Sequence, residues 1–558
     1  MRFLAVCSIL FINPAMPPGI LNLTGKHNEM NTMSSVKPGN KTAPAGTTKA
    51  PEGAFRHHLR AQWLWNGILH ILQGIAALRR RSNQRFGDRW SDARFVMLST
   101  GIVFCLSALM LWFPAYLGVG NDGSVTRTMQ NAGLSYLAVN EDNANNYFTR
   151  VYQTGYSSAQ DHSLQLVLIR AARGLDHLFT HDQLFDIRFL SLIYVILALP
   201  AWSLLFYSIV SRVRTFTEKC ILSALCVLIF ADGSYITYFN SLYPEAVYII
   251  GLSYLFGGCM MLQRKNRYAS LHWLSIILGV LMLCSTRQHA AIVGFITAAF
   301  CMAQLRITAR FLGRIGIVCV TVISLTAGFC GSAFTESDFD DTSHIHAMTR
   351  GVLLQSNDPE KTLQEFGING SYALLTDVSL YDEYPLADES EYYLQNGFLD
   401  HCSAQRIALH YLQHPGSMLS MLDLGARSAV NLRRESCGCF ERSTGKAPMS
   451  KSIVFSAWSI FKLRSFPKTI AFPLLLVIVC ILLARKKGVA KKNPDHFYYV
   501  FFCTTMLTAA VMILDLFVVI CCSGDAQLIQ YNFIAGFCLD CLVLFTVSEL
   551  LHWMDNHV

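Results

Sequence analysis

Ten apolar runs follow one another after the first 96 residues, and each is long enough, or nearly long enough, to cross about 30 Å of hydrocarbon as a helix. They occupy residues 97–118, 189–210, 220–239, 246–262, 268–284, 290–305, 315–334, 469–484, 497–522 and 528–551. This pattern predicts an all-α polytopic membrane protein with about ten transmembrane helices.

Basic residues cluster in alternate connections between these runs, as the positive-inside rule expects of cytoplasmic loops. The clusters are Arg79, Arg80 and Arg81; Arg212 and Arg214; Arg264, Lys265 and Arg267; Arg306, Arg310 and Arg314; and Arg485, Lys486, Lys487, Lys491 and Lys492. Both chain ends are therefore predicted to be cytoplasmic. Two long segments, 119–188 and 335–466, then fall on the extracytoplasmic side.

Four regions follow from this layout. Residues 1–96 are expected to form a cytoplasmic, low-complexity region with an interfacial helix. Residues 97–334 are expected to form a membrane domain of seven helices, with a catalytic first outer loop at 119–188. Residues 335–466 should form a small extracytoplasmic domain, and 467–558 the last three helices. We expect a multi-pass protein of the plasma, or inner, membrane.

Composition supports a membrane protein, since 53% of the residues are hydrophobic and only 15% are charged. The net charge of +8 arises from the loop clusters and not from a broad basic face, so we expect no nucleic-acid partner. Most of the 18 cysteines lie inside apolar runs, where cysteine behaves as a small hydrophobe. Cys437 and Cys439 have the wrong spacing for a zinc knuckle.

An acid and an arginine follow the first apolar run. Asp122 and Arg127 lie in the stretch LGVGNDGSVTR, just past the predicted outer end of the first helix. Taken alone, Asn-Asp-Gly is typical of a solvated turn. A carboxylate there can also accept a proton from an attacking hydroxyl, or bind a divalent cation, Mg²⁺ or Mn²⁺, that neutralises a phosphate. No other cofactor is indicated.

Three further outward junctions carry polar side chains beside hydrocarbon, where each is costly unless it is paired or used. They supply Asn240, Tyr243 and Glu245 in YFNSLYPEA, Arg287 and Gln288 in STRQHA, and Asp525 in SGDAQLIQYN. This convergence favours a functional site. Arg127 and Arg287 suit a phosphate because a guanidinium binds two phosphate oxygens at once, although Arg287 can instead snorkel to lipid headgroups.

These motifs resemble the GT-C class of integral-membrane glycosyltransferases. More narrowly, GNDGSVTR, YFNSLYPEA, STRQHA, MTRGVLLQSNDPEKTLQEFGI, HYLQHPGSML and GDAQLIQYNF are similar to stretches of bacterial putative hexose transferases encoded with S-layer and wall-glycan genes. The likeness covers most of residues 97–551. GNDGS stands where that class has a GNGDF-like string, which shifts the acid by one place.

The resemblance implies transfer of a hexose, with inversion, from a polyprenyl-phosphate-linked donor to a glycan or lipid acceptor of the cell envelope at the extracytoplasmic face. By that likeness Asp122 is the catalytic carboxylate, and Arg127 and Arg287 bind the donor phosphate. The substrate would be positioned by Asn240, Tyr243, Glu245, Gln288 and Asp525.

Two alternatives remain at this stage. A transporter or flippase of lipid-linked saccharides would also gather arginines and acids near the membrane, and Asp515 and Asp540 inside apolar runs keep that reading open. Those two acids are otherwise packing partners within the bundle. A structural or assembly protein of the envelope is the other alternative, and it predicts that replacing Asp122 leaves function intact.

Overall fold

The structure is a computed structural model. It describes residues 81–87, 89–114, 116–121, 123, 125–137, 147–156, 163–264, 269–334, 341–379, 398–486, 493–526 and 528–557. Most of the region predicted to be cytoplasmic and of low complexity, 1–96, therefore lies outside the described residues. The four predicted region boundaries stay predictions.

Helices dominate the described residues. They are α1 Asp92–Trp112, α2 Thr126–Asn131, α3 Leu164–Thr180, α4 Arg188–Val210, α5 Phe216–Phe230, α6 Gly233–Ile236, α7 Glu245–Met261, α8 Ala269–Leu283, α9 Arg287–Gln304, α10 Phe311–Phe334, α11 Asp341–Ala347, α12 Pro359–Phe366, α13 Phe398–His401, α14 Ala404–Gln413, α15 Pro415–Val430, α16 Ala457–Ser465, α17 Ala471–Lys486, α18 His496–Ser523, α19 Leu528–Tyr531 and α20 Phe533–His557. Tighter 3₁₀ turns cover Thr237–Asn240, Leu353–Gln355, Gly370–Leu375 and Arg442–Thr444, and a π-helical turn covers Met348–Val352.

Each of the ten predicted apolar runs contains a helix. Five helices, α1, α4, α10, α18 and α20, are long and apolar enough to cross a membrane, and a sixth span results if α5 is joined to Gly233–Asn240 across a 46° bend. Four more, α7, α8, α9 and α17, are apolar but shorter. The chain is thus a mostly helical integral membrane protein. The count of ten crossings and the loop layout stay predictions.

Small residues allow close packing between neighbouring helices. A Cβ placed on Gly294 of α9 would lie 2.6 Å from Gly328 Cα on α10, so the two backbones touch at that point. Every residue of α7 is buried, and α7 packs against both α4 and α8. A helix that is buried on all sides holds its first residue, Glu245, in a fixed place.

The strands were not predicted, and they correct the all-α expectation. β1 Leu117–Val119 pairs antiparallel with β5 Cys437–Phe440, while β2 Leu134–Ser135, β3 Val151–Thr154 and β4 Leu184–Asp186 form a second antiparallel sheet in the order β2-β3-β4. Strands of two to four residues are too short to show an alternating pattern. The β1–β5 pair joins the segment after α1 to the segment before α16.

Asp540, inside α20, is engaged by three side chains within the protein. Its Oδ1 lies 2.7 Å from Lys462 Nζ, and its Oδ2 accepts hydrogen bonds from Tyr235 at 2.6 Å and Trp458 Nε1 at 2.9 Å. Lys462 Nζ also donates to the Gly536 carbonyl at 3.2 Å. The side chains of Lys462 and Asp540 are 0% and 2% exposed, so this is a buried ion pair.

Asp515, inside α18, is paired as well. Its Oδ1 lies 2.6 Å from His289 Nδ1 on α9, and both side chains are buried. Tyr248 packs its ring edge-on against His289 with centroids 5.0 Å apart. Asp515 and Asp540 therefore both have partners on neighbouring helices, which is the arrangement expected of packing acids.

Candidate functional site

The site begins where α1 gives way to β1. β1 pairs with β5 through Leu117 and Phe440, and the register shifts between Gly118 and Val119. Directly after β1, the Gly120 N–H donates a hydrogen bond to the Ser436 carbonyl oxygen at 2.8 Å. The chain leaving α1 is thus bound to a segment more than 300 residues further along.

Gly118 is required by a close approach. A Cβ there would lie 2.2 Å from the Phe148 ring and 2.7 Å from the Asn240 carbonyl oxygen, distances that no side chain tolerates. The 3₁₀ turn Thr237–Asn240 consequently lies directly against β1. The segment that follows α1 and the YFNSLYPEA motif are brought together here.

Asn240 ties the two elements to each other. Its Nδ2 donates to the carbonyl oxygens of Leu111, at the end of α1, and Leu117, at the start of β1, both at 3.0 Å. The side chain is fully buried. Its amide hydrogens are used by the backbone, so the structure gives Asn240 a positioning contact, and its predicted contact with substrate stays a prediction.

We expect Asn240→Ala to lower the free energy of unfolding by about 2 to 4 kcal/mol, because two buried carbonyl groups would lose their donor. Thermal unfolding of the detergent-solubilised protein measures this change. Gln183→Ala, at an exposed position in the segment between α1 and α4, is the matched control and should shift stability by no more than about 0.5 kcal/mol. Unchanged stability with weaker substrate binding would instead assign Asn240 to the substrate.

Asp122 lies outside the described residues, but both of its neighbours are held in place. Asn121 is buried, and its N–H donates to the Tyr147 carbonyl at 3.0 Å. Its Oδ1 accepts a hydrogen bond from Gly123 N at 3.0 Å. Gly123 has φ +88°, a backbone conformation that favours glycine. A tight turn in the chain thus starts within a few residues of β1.

Four polar side chains gather beside β1 and β5, and we call them the mouth cluster: Tyr238, Tyr243, Glu245 and Arg434. The Arg434 guanidinium carbon lies 5.0 Å from the centre of the Tyr243 ring. The Tyr238 and Tyr243 rings meet edge to face at 6.5 Å, and Tyr238 interacts electrostatically with both Glu245 and Arg434. The cluster combines a buried carboxylate, two phenols and a half-buried guanidinium.

Glu245 occupies the first position of α7, where the helix dipole stabilises a negative charge. It is 2% exposed. A carboxylate in this position can orient a hydroxyl group or a guanidinium that enters from the β1–β5 side.

Arg434 is a candidate that sequence reasoning missed. The paired arginines of the RRESCGCF stretch are the sequence signal that points to it. Arg433 stabilises the local backbone, because its Nη1 donates to Ser456 Oγ at 2.8 Å and its Nε to the Cys437 carbonyl at 3.3 Å. Arg434 instead faces Tyr243. The two arginines therefore differ in their tertiary contacts, which the sequence alone does not show.

Burial disfavours the thiolate form of Cys437. Burial raises the pKa of its thiol to about 11, although hydrogen bonding to Tyr238 acts in the opposite direction. A thiol with this pKa is neutral at physiological pH and neither attacks a sugar nor binds a metal readily. Cys437 therefore packs the base of the mouth cluster.

Arg127 and Arg287, the two predicted phosphate ligands, are not among the residues of the mouth cluster. Arg127 is exposed on α2, a short helix that starts three residues after Gly123. Arg287 and Gln288 form the first turn of α9, and their side chains lie outside the described residues. Their predicted roles in binding phosphate and substrate stay predictions.

Asp525 is held by a protein cation. Arg350 Nε donates to Asp525 Oδ1 at 2.7 Å and Arg350 Nη2 donates to Oδ2 at 3.2 Å, a bidentate pair. Arg350 Nη1 also lies 3.3 Å from Asp377 Oδ1. This pair fastens the α18–α19 junction to the π-helical turn Met348–Val352, so a substrate would have to share the Asp525 carboxylate with Arg350.

A comparison with known families gives a match over most of the chain. The family model described as the YfdI N-terminal transmembrane domain matches residues 82–558. No curated protein and no solved structure matches the chain.

Proposed function

Because the chain belongs to the YfdI N-terminal transmembrane domain family, which is associated with membrane glycosyltransferases, we propose that it is a hexosyltransferase. Its donor would be a hexose linked to polyprenyl phosphate, and its acceptor a glycan or lipid of the cell envelope. The reaction would take place at the extracytoplasmic face, the side to which the sequence assigns the two long loops.

The mouth cluster is the observation that carries this proposal. It places a guanidinium against an aromatic ring and near a buried carboxylate that begins an apolar helix, and the turn that carries Tyr238 contacts β1, the strand that leads to Asn121. A lipid-linked donor carries its phosphate at the boundary between hydrocarbon and water. A half-buried arginine is suited to a phosphate there, because the guanidinium keeps its charge and can donate two hydrogen bonds.

The reaction follows from these groups. Asp122 would accept the proton of the acceptor hydroxyl while that oxygen forms a bond to the anomeric carbon. The bond between the anomeric carbon and the phosphate oxygen breaks, and its electron pair leaves with the polyprenyl phosphate. Arg434, with Arg127 and Arg287, would stabilise the charge on that phosphate. Attack from the opposite face inverts the anomeric centre and needs only one base.

Glu245 and Tyr243 would position the sugar, because both are fixed by burial beside Arg434. Asp122 can alternatively bind Mg²⁺ or Mn²⁺ and share the phosphate charge with it. The two options differ in whether a chelator stops the reaction.

The function is tested with membranes that carry the protein, supplied with polyprenyl-phosphate glucose, mannose or galactose labelled in the sugar. At least one donor should give a labelled product that control membranes lacking the protein do not form. If all three donors remain unconsumed in membranes that contain the folded protein, hexosyl transfer from such donors is wrong.

Arg434→Gln should lower kcat/KM for the lipid-linked donor by about 10- to 100-fold, because one charged hydrogen-bonding group to the phosphate is lost. Transfer rates at several donor concentrations measure this ratio. Arg442→Gln is the matched control, since Arg442 is exposed on the neighbouring turn Arg442–Thr444. Equal losses in both variants would show a general charge effect and remove Arg434 from the donor site.

The flippase alternative predicts movement of the intact donor. Its support came from Asp515 and Asp540, and both acids are paired with cations or imidazole inside the bundle. The described contacts therefore favour an enzyme.

A further inference from the structure

Three side chains with metal-binding atoms lie close together, and none of them belongs to the mouth cluster. Glu365 lies on α12, His410 lies near the end of α14, and His414 follows that helix directly. One ligand atom from each of the three lies within 4.8 Å of the others. Among the described residues, this is the group that meets the distance requirement for a shared metal ion.

The helix geometry explains why the two histidines meet. Residues four apart lie on the same face of an α-helix, and the His410 and His414 rings stack with centroids 4.2 Å apart. His414 Nδ1 lies 3.0 Å from the His410 carbonyl oxygen. A bond from one ring nitrogen to a carbonyl fixes the tautomer and leaves the other nitrogen, Nε2, for a metal.

Glu365 supplies the oxygen from a second helix. Its neighbour Phe366 packs against the His410 ring with centroids 5.3 Å apart, which holds α12 beside α14. Glu365 and His414 are both exposed, while His410 is half-buried. The site thus has one anchored ligand and two ligands that can adjust.

We propose that Glu365, His410 and His414 bind a divalent transition metal, for which zinc has the best-matched chemistry. Two imidazole nitrogens and one carboxylate oxygen are a donor set that zinc uses, whereas Mg²⁺ and Mn²⁺ prefer oxygen ligands. Two ligands of a tetrahedral zinc lie roughly 3.4 Å apart, so the exposed side chains need to move by about 1 Å. Water completes the coordination.

The bound metal would connect α12 to α14 and so stabilise this part of the chain. It is separate from any Mg²⁺ or Mn²⁺ at Asp122, and the proposal does not rest on glycosyl transfer. Because the ligands come from two helices, metal binding and the stability of their contact are linked.

The test is a zinc titration of the purified full-length protein in detergent, after removal of bound metal with a chelator. Wild-type protein should bind one more tight equivalent of Zn²⁺ than His414→Ala, and Glu365→Gln should weaken that equivalent about tenfold or more. His401→Ala is the control, because His401 is nearby on α13 but bonds to Arg406. It should bind zinc as the wild type does.

Thermal unfolding gives a second measurement that does not depend on counting ions. Zinc should raise the Tm of the wild type and of His401→Ala, raise that of Glu365→Gln less, and leave the Tm of His414→Ala unchanged. The proposal is overturned if the wild type and these two variants bind zinc with the same number and affinity, or if zinc shifts all four Tm values equally.

Discussion

Asp122→Asn should reduce the rate of sugar transfer by about 10² to 10⁴-fold, because an amide cannot accept the proton of the acceptor hydroxyl. The substitution keeps the size of the side chain, so protein level and thermal stability should be unchanged. Single-turnover transfer with saturating donor measures the chemical step without the contribution of donor binding.

A matched control comes from the same segment, between α1 and α4. Asp182 is exposed, and its Oδ1 accepts a hydrogen bond from Leu184 N, which an asparagine oxygen can retain. Asp182→Asn should therefore transfer sugar at the wild-type rate. If Asp122→Asn also transfers at that rate, Asp122 is neither the base nor an essential metal ligand, and the catalytic carboxylate must lie elsewhere.

Lys462→Met should destabilise the protein by about 3 to 5 kcal/mol, the largest structural effect that we expect of a single substitution. It would leave the Asp540 carboxylate without its cation in a setting where both side chains are almost fully buried. Reduced amounts of folded protein in membranes and a lower Tm in detergent would report this loss.

The double variant Lys462→Met/Asp540→Asn tests the cause. Asparagine removes the charge and keeps an oxygen for Tyr235 and Trp458, so most of the lost stability should return. Lys468→Met, an exposed lysine just after α16, should change stability by about 0.5 kcal/mol at most. If the double variant is no more stable than Lys462→Met, the unpaired charge is not the cause.

The helices could be predicted because their signal is local. An apolar run of about twenty residues is expected to form a helix in a membrane, because every backbone N–H and C=O group must be hydrogen-bonded within the segment. All ten runs contain helices, and four of these helices, α7, α8, α9 and α17, fall below the length of a clear span. Length alone does not decide whether these helices cross.

The strands and the mouth cluster could not be predicted because they depend on distant pairings. β1 is three residues long, and its partner, β5, lies more than 300 residues away. Nothing near Arg434 in the sequence shows that it meets Tyr243, and nothing near Asn240 shows that it bonds to Leu111 and Leu117. Polar residues at helix ends indicated where in the chain the site lies. Only the tertiary contacts distinguish residues that hold the backbone in place from residues that could bind substrate.

Asp525 illustrates the same limit of a local pattern. An acid at an outward helix end looks available for substrate in the sequence, but Arg350 from a different segment binds it through two hydrogen bonds. Such a pair is invisible without the fold, because its two members are 175 residues apart.

A glycosyltransferase must cleave its lipid-linked donor, whereas a flippase leaves the donor intact. The most direct measurement uses purified protein in liposomes, with polyprenyl-phosphate hexose labelled in both the sugar and the lipid, and counts polyprenyl phosphate released for each sugar transferred. We expect one polyprenyl phosphate per sugar and an inverted anomeric centre in the product. Donor that crosses the bilayer uncut, with no polyprenyl phosphate released, would contradict a glycosyltransferase and identify a flippase.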